Sequence, residues 1–209
     1  MFEKCQGLAI ETVDGALAED IAITNITMRD IFNLPIFLRL GSRMRGPAGV
    51  PVGKLRRVNI SDVVVSNTAS PYASIISGIP GYNVEDVRLS NITVLHRGGG
   101  TREDAALTPP EKENAYPGPA MFGAMPAYGF YIRHAAGIEM NNIDVRFESE
   151  DLRPAFVLED VQGADFLHVK ARRAADVSSF ALRNVGDFSA YLSRPVPDTH
   201  LENVTQETL

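Results

Sequence analysis

The stretch Ile21-Ala22-Ile23-Thr24-Asn25-Ile26-Thr27-Met28 is the best guide to the fold, because variants of it recur along the chain. Further copies begin at residues 58, 87 and 138, and a looser copy begins at residue 164. In each copy apolar residues occupy the first, third, sixth and eighth positions, usually with a short polar residue at the fifth. Such alternation is typical of a half-buried strand, and the shift from odd to even positions predicts a bend between two short strands. The chain is therefore predicted to be a repeat protein.

The runs between the copies decide which repeat architecture fits. Short apolar runs, such as 35–40 and 128–133, add a third strand to each repeat. A propeller blade would need four antiparallel strands with hairpin turns, and Asp14-Gly15 is the one Asn-Gly or Asp-Gly signal in the sequence. A leucine-rich repeat would need its leucine and asparagine ladder, which is absent. The pattern predicts an all-β parallel β-helix, a solenoid with about three short strands per turn that stack about 4.8 Å apart.

The fifth positions of the copies are predicted to stack in one column. Asparagine tolerates left-handed backbone angles, and its side chain can hydrogen-bond to the same residue in the next turn. We interpret this column as a structural ladder rather than a functional polar row. Its members are Asn25, Asp62, Asn91, Asn142 and His168.

Continuous repetition favours a single domain over residues 1–209. Repeat turns are predicted over about 1–194, with long loop insertions at 41–54 and 96–127. The tail 195–209 is predicted to form the C-terminal cap that a solenoid end requires. The insertion 96–127 is rich in glycine, proline and charge, and loops of this length are usually functional or mobile.

Composition argues against several classes of function. The net charge of −6 disfavours a nucleic-acid partner, since binding there depends on lysine and arginine. The single Cys5 cannot form an internal disulfide, and no apolar run approaches the roughly 20 residues that span a membrane. The chain opens inside a patterned segment, so no signal peptide is expected in it. No cofactor motif is present, and no metal site is predicted because the histidines lack ligand spacing.

Alternation in the intervening runs predicts which side chains point away from the main core. Aligning the runs that begin at residues 8, 36, 130 and 156 places their first and third residues inward. Glu11 and Arg39 are then neighbours on adjacent turns, either as a surface pair worth under about 1 kcal/mol or as part of a binding strip. A polar strip with an aromatic border suits an acidic sugar, because arginine pairs with carboxylates. The outward columns are Ala9, Phe37, Tyr131 and Val157, and Glu11, Arg39, Arg133 and Glu159.

The densest part of this strip directly follows the long loop. His134 in it is equally suited to a strand-end hydrogen bond and to a ligand contact. A further alternative is that Glu11 forms a new carboxylate pair with Glu159 or Asp160, although they would lie several turns apart. The predicted substrate-binding residues are Glu11, Arg39, Tyr128, Tyr131, Arg133 and His134.

Several stretches resemble glycoside hydrolase family 28, the pectinases typified by polygalacturonase. The most specific are Tyr116-Pro117-Gly118-Pro119-Ala120-Met121-Phe122-Gly123 and Pro126-Ala127-Tyr128-Gly129-Phe130-Tyr131-Ile132-Arg133-His134, in that order. Further matches lie at 7–15, 23–31 and 35–41, and the resemblance covers residues 1 to about 190. It is to the C-terminal half of the family and implies a right-handed parallel β-helix, truncated on its N-terminal side.

The resemblance also implies which chemistry is missing. The family hydrolyses bonds to galacturonic acid with inversion, using aspartates as general acid and base. Its Asp-Asp and Gly-His-Gly motifs occur nowhere in the sequence, and its Asn-x-Asp motif does not precede the place where its Arg-Ile-Lys motif falls, so no catalytic residue is predicted. That place is Ala9-Ile10-Glu11, where both substrate-contacting basic residues are replaced. Either Arg39 or Arg133 takes over their role, or the substrate differs from plain polygalacturonate.

The expected function is therefore the C-terminal part of a pectin-degrading glycoside hydrolase, inactive alone and without a cofactor. The alternative is a non-catalytic carbohydrate-binding or structural β-helix module. The resemblance implies an acidic polysaccharide or oligosaccharide of the pectin or galacturonan type as partner, and a secreted or periplasmic location. An open strand edge at the N-terminal end also predicts self-association, since unpaired edges template further pairing.

Overall fold

The computed structural model describes residues 1–69 and 72–209, which form an all-β protein, as predicted. Within these ranges helix is confined to α1 (Arg102–Ala105) and a 3-10 helix (Pro119–Phe122). In the described part of the chain no helix is long and apolar enough to cross a membrane. The strands are β1 (Phe2–Glu3), β2 (Leu8–Thr12), β3 (Leu17–Arg29), β4 (Ile36–Leu40), β5 (Lys54–Thr68), β6 (Ser74–Ser77), β7 (Val84–Gly98), β8 (Phe130–Ser149), β9 (Phe156–Leu167), β10 (Lys170–Ala171), β11 (Phe180–Tyr191) and β12 (Thr199–Thr208).

The strands form one large, mostly parallel sheet that contains two series of stacked strands. The longer series pairs β3, β5, β7 and the second half of β8 in that order. The shorter series runs through β2, β4, β6, the start of β8, β9 and β11. In the described ranges the antiparallel strand pair is β11 with β12, so the tail runs back along β11.

The short strands are in the register that the sequence alignment predicts. Glu11 lies beside Arg39, and Arg133 lies beside Glu159. The column also contains a strand that the alignment does not include, because β6 places Ser77 between Arg39 and Arg133. The outward side chains of the short strands are therefore stacked in continuous columns.

Sharp bends with left-handed backbone angles divide the long strands into short units, which are five residues apart in β3 and β5. In β3 they fall at Asp20 and Asn25, with φ of 59° and 60°, and Asp30 directly after the strand has φ of 55°. The four residues between two bends alternate inward and outward, and the bend then restarts the alternation. This spacing explains the shift of apolar positions from odd to even within each repeat. Aspartate and asparagine suit these bends because they tolerate positive φ better than other side chains.

The predicted polar column is a hydrogen-bonded ladder through its middle. The Asn142 side-chain amide donates to Asn91 Oδ1 at 3.0 Å, and the Asn91 amide donates to Asp62 Oδ1 at 3.1 Å. Asn25 and His168 share the same left-handed angle at the two ends of the column. The structural interpretation of this column is supported, since its polar groups satisfy one another.

The main core is built from the inward side chains of both strand series. At its C-terminal end Phe130, Phe156 and Phe180 stack, with ring centroids 6.0 Å and 4.8 Å apart. Stacked like residues on successive strands bury a continuous apolar column, which a single repeat could not do alone.

A second apolar cluster lies on the other face of the short strands. Phe37, Ile75 and Tyr131 come from β4, β6 and β8, and they cluster with Phe122 and Met125 from the segment 99–127. We call this segment the strap. It covers the outward columns of the short strands and decides which of the predicted site residues meet solvent.

The first edge of the sheet is only partly covered. β3 pairs with β5 on one side, while β1 covers only Met28 and Arg29 on the other. β2 is paired with β4. Ile21, Ile23 and Ile26 of β3 are consequently only half-buried.

Candidate functional site

The predicted solvent-facing strip is buried beneath the strap. Arg39 is 1 % exposed and Arg133 is 2 % exposed, and Tyr131 is fully buried. Their side chains point away from the main core, as the alternation requires, but the strap packs over them. The expectation that they form an open binding surface is therefore corrected. Alternation fixes the direction of a side chain but not what covers it.

Arg39 is bound to backbone and hydroxyl oxygens instead of to Glu11. Its Nη1 donates to Ser77 Oγ and to the Gly78 carbonyl at 2.8 Å each. Its Nη2 donates to the carbonyls of Glu111 and Lys112 in the strap at 2.9 Å and 3.2 Å. Burial of the guanidinium lowers the pKa of Arg39 to about 10. The predicted surface ion pair with Glu11 is not formed.

Arg133 lies two positions further along the same column and holds the same stretch of the strap. Its Nη1 and Nη2 donate to the carbonyls of Pro109 and Pro110 at 2.8 Å and 3.0 Å. Its Nη1 also lies 3.1 Å from a carboxylate oxygen of Glu111. The Phe122 ring lies against both arginines, with its centroid 5.2 Å from Cζ of Arg39 and 5.7 Å from Cζ of Arg133. Both arginines therefore fasten the strap.

The two predicted tyrosines are structural as well. Tyr128 belongs to the main core, where its hydroxyl donates to the carbonyls of Val145 and Arg172. The Tyr131 hydroxyl donates to Glu159 Oε2 at 2.7 Å. Burial raises the pKa of both phenols above their ordinary value. Neither ring is accessible for stacking on a sugar.

His134 occupies a bend, with φ of 48°. Its Nδ1 lies 2.6 Å from Asp160 Oδ2, and its Nε2 lies 3.2 Å from both carboxylate oxygens of Glu111. Asp160 in turn accepts from the Asn184 amide at 2.6 Å. Both ring nitrogens are thus engaged within the protein, which favours the strand-end hydrogen-bonding role over the ligand contact.

The alternative carboxylate pair is too far apart to act together. Glu11 and Glu159 are separated by four strand steps in the same column. At about 4.8 Å per step this is about 19 Å, whereas the carboxyl groups of glycosidases lie about 5–10 Å apart. Asp160, the residue after Glu159, is engaged by His134.

Glu11 differs from the other predicted residues because its side chain is exposed. Among the described contacts it has no hydrogen bond and no ion pair. Partial burial of its carboxyl raises the pKa of Glu11, and no neighbouring charge acts in the opposite direction. It is the one predicted binding residue that the described structure leaves available to a ligand.

Glu11 lies in a surface groove that the strap completes. Two adjoining hollows, of about 460 Å³ and 300 Å³, share Glu11, Tyr116 and Pro117. Ala9 lines the larger hollow, and Asp14 and Arg43 line the smaller one. We call this surface the Glu11 groove. Its volume lies within the range of about 300–1,000 Å³ that is usual for ligand sites.

Tyr116 lines both hollows and is 72 % exposed. Its ring lies over the Arg43 guanidinium, with Cζ 5.5 Å from the ring centroid. Arg43 is held by Asp14, whose Oδ1 accepts from its Nε at 3.1 Å and whose Oδ2 accepts from its Nη2. The pKa of Asp14 falls to about 2 because of these hydrogen bonds and that of the Arg45 amide. The aromatic ring is therefore supported from below and open to solvent.

Sequence reasoning missed Tyr116, Arg43 and Asp14 as site residues. Tyr116 lies in the stretch that carries the family resemblance, but nothing local showed that the strap would return it to Glu11. Arg43 lies in the predicted loop 41–54, whose contact with Asp14 joins distant parts of the chain. Within the described ranges no three His, Cys, Asp or Glu side chains group closely enough to hold a metal ion.

No family model, no curated protein and no solved structure matches this chain.

Proposed function

We propose that the chain is the C-terminal part of a pectin-degrading glycoside hydrolase of the family 28 type, with its strands coiled as a right-handed parallel β-helix. Like strands stack on like strands in both series, and sharp bends fall at matching positions of paired strands, which supports a coiled arrangement. Right-handed crossovers dominate between parallel strands of one sheet. The sequence stretches that resemble the family supply the functional side of the proposal.

One observation carries this proposal. The family's substrate-contacting Arg-Ile-Lys motif falls on 9–11, and Ala9 and Glu11 both line the groove that Tyr116 borders. An open groove with a polar side chain and an exposed aromatic ring at this place is what a sugar-binding surface requires. Neither feature depends on the buried arginines.

The chain alone is expected not to hydrolyse a glycosidic bond. Inversion needs a general acid and a general base on opposite sides of the bond, with room for water between them. The two carboxylates of the groove are Glu11 and Asp14, and Asp14 is held as an anion by Arg43. A carboxylate tied to an arginine is a poor proton acceptor, which leaves Glu11 without a partner.

A non-catalytic carbohydrate-binding or structural module is the second candidate. It is favoured by the use of Arg39 and Arg133 inside the protein, where they stabilise the strap and do not contact a ligand. Both candidates share the groove as the carbohydrate surface. They differ in whether catalytic aspartates belong to the same polypeptide, which the coding sequence upstream of Met1 would show by an in-frame Asp-Asp and Gly-His-Gly.

Two measurements test the proposal. Release of reducing ends from polygalacturonate should be at the level of a blank, and clear turnover that Glu11→Gln abolishes would overturn the non-catalytic assignment. Binding of a pectic oligosaccharide mixture, followed by amide shifts in NMR, should be lost in Tyr116→Ala. Tyr82→Ala is the matched control, because Tyr82 is also exposed, at 47 %, but lies outside the groove. Failure of every pectic oligosaccharide to bind would refute the carbohydrate function.

The remaining parts of the proposal follow from the family resemblance. The partner is a pectic polysaccharide or oligosaccharide, and the site of action is outside the cytoplasm, secreted or periplasmic. The parent protein's presence in the culture medium or periplasmic fraction, measured with an antibody to this chain, tests the location.

A further inference from the structure

We propose that the Glu11 groove binds an uncharged sugar unit, a neutral pyranose or an esterified uronic acid, and discriminates against a free uronate. The inference rests on the proposed carbohydrate function and specifies its substrate class. It follows from the charged side chains that line the groove and from the pairing of the nearby arginines with other protein groups.

The groove has no basic side chain free to pair with a carboxylate. Among its lining residues in the described ranges, Arg43 is the one cation, and Asp14 binds it through two nitrogens. Arg39 is the neighbour of Glu11 in register, but its two terminal nitrogens already donate hydrogen bonds to four protein oxygens. Arg45 is exposed near Asp14 without lining either hollow. Recognition of a uronate usually requires an arginine or lysine aimed at the carboxylate.

Glu11 instead presents an acceptor to the ligand. It stands in the column position where the family resemblance places a lysine, so the sign of the charge at this point is reversed. A carboxylate accepts hydrogen bonds from sugar hydroxyls but repels a second carboxylate. Two unit charges about 5 Å apart in a largely aqueous setting repel by an amount that corresponds to roughly a four- to tenfold loss of affinity. Partial burial, which raises the pKa of Glu11, is consistent with a carboxyl that lacks a cationic partner.

Tyr116 supplies the apolar half of the site. Pyranose rings have a face of C–H groups, and this face packs on an aromatic ring whether or not the sugar is charged. Arg43 packs under the Tyr116 ring, which restricts the orientations that the ring can take before a ligand arrives. A preordered aromatic surface binds with a smaller loss of side-chain freedom.

The test uses ligands that differ only at carbon 6. These are an α-1,4-linked oligogalacturonide, its methyl ester, and its carboxyl-reduced form with hydroxymethyl groups. Their affinities for the intact chain are measured at pH 7 by NMR titration at low salt. The ester and the reduced form should bind with similar affinity, and the free acid should bind at least about fourfold more weakly.

Two variants and a control test whether the charge of Glu11 causes this difference. Glu11→Gln keeps the size and the acceptor but removes the charge, so the affinity for the acid should rise to that of the ester. Tyr116→Ala should abolish binding of all three ligands, and Tyr82→Ala should leave all three affinities unchanged. Glu11 is exposed, and an unchanged amide spectrum outside the groove checks that the Gln variant is folded.

Two results overturn the inference and can be told apart. If the free acid binds as tightly as the ester or more tightly, the charge argument is wrong while the carbohydrate function stands. If none of the three ligands binds, the inference and the proposed function fail together.

Discussion

Replacing Phe122 by alanine should release the strap without unfolding the rest of the protein. The ring is buried and touches three groups, the two guanidinium groups of Arg39 and Arg133 and the Phe37 ring, whose centroid is 6.5 Å away in an edge-on contact. Phe-to-Ala changes in cores cost about 3–5 kcal/mol, and that range already includes the aromatic and cation–π contacts. We expect about 3 kcal/mol, because the strap side of the resulting cavity can relax.

The lost free energy should weaken the docking of the strap and leave the stability of the main core unchanged. Structural elements open locally, each with its own free energy of opening. The global free energy of unfolding should therefore decrease by no more than the docking of the strap contributes to it. The Ser42 amide, which donates to the Glu113 carbonyl of the strap at 2.8 Å, reports docking through its hydrogen-exchange rate. Its exchange should accelerate at least about tenfold, while amides of the long strands exchange as before.

Tyr116→Ala is the matched control, because it removes another aromatic ring from the same strap at an exposed position. Its free energy of unfolding in urea should stay within about 0.5 kcal/mol of the wild-type value. The proposed role of Phe122 would be refuted if Phe122→Ala left Ser42 exchange unchanged and lowered the unfolding free energy by less than about 1 kcal/mol.

Three further outcomes are expected. Asn91→Ala should lower the free energy of unfolding by about 1–3 kcal/mol in urea melts, because the variant loses its ladder hydrogen bonds and strains a left-handed bend; an unchanged melt would contradict the ladder. The pKa of Asp14 lies below its ordinary value in the folded state, so its contribution to stability is present above about pH 4 and is lost as the pH falls toward about 2. An NMR titration of the carboxyl should show this, and Arg43→Gln should return the pKa toward about 4, whereas an unchanged pKa in that variant would contradict the pairing. The chain should self-associate through the half-covered edge of β3; light scattering should show species larger than a monomer, and Ile23→Lys should shift them to the monomer mass, whereas a monomeric wild type would rule this out.

Only part of the candidate site can be predicted from the sequence. Glu11 can be found because alternation places it outward next to the position of a family motif. The same alternation places Arg39, Tyr131 and Arg133 outward, but it wrongly predicts that their side chains are exposed to solvent. Tyr116 lies in a stretch that resembles the family, but the resemblance does not show that its ring lies in the same groove as Glu11.

The repeat, the strand register and the bends can be predicted from the amino-acid sequence alone. Each of these depends on short-range physics, since alternation and the tolerance of Asn and Asp for positive φ act within about five residues. Equivalent strands then stack on one another, which extends the pattern along the chain. The column that joins Glu11, Arg39 and Arg133 can therefore be aligned correctly from the pattern of apolar residues alone.

Which part of that column is exposed to solvent depends on long-range contacts that the sequence pattern does not show. The strap has no periodicity, and its place depends on contacts between residues far apart in sequence, such as Arg39 with the carbonyls of 111 and 112. Because two buried guanidinium groups need acceptors, they draw the strap's carbonyls onto the face that alternation alone marks as open. Glu11, at the uncovered end of the column, remains accessible, and the strap brings Tyr116 to it.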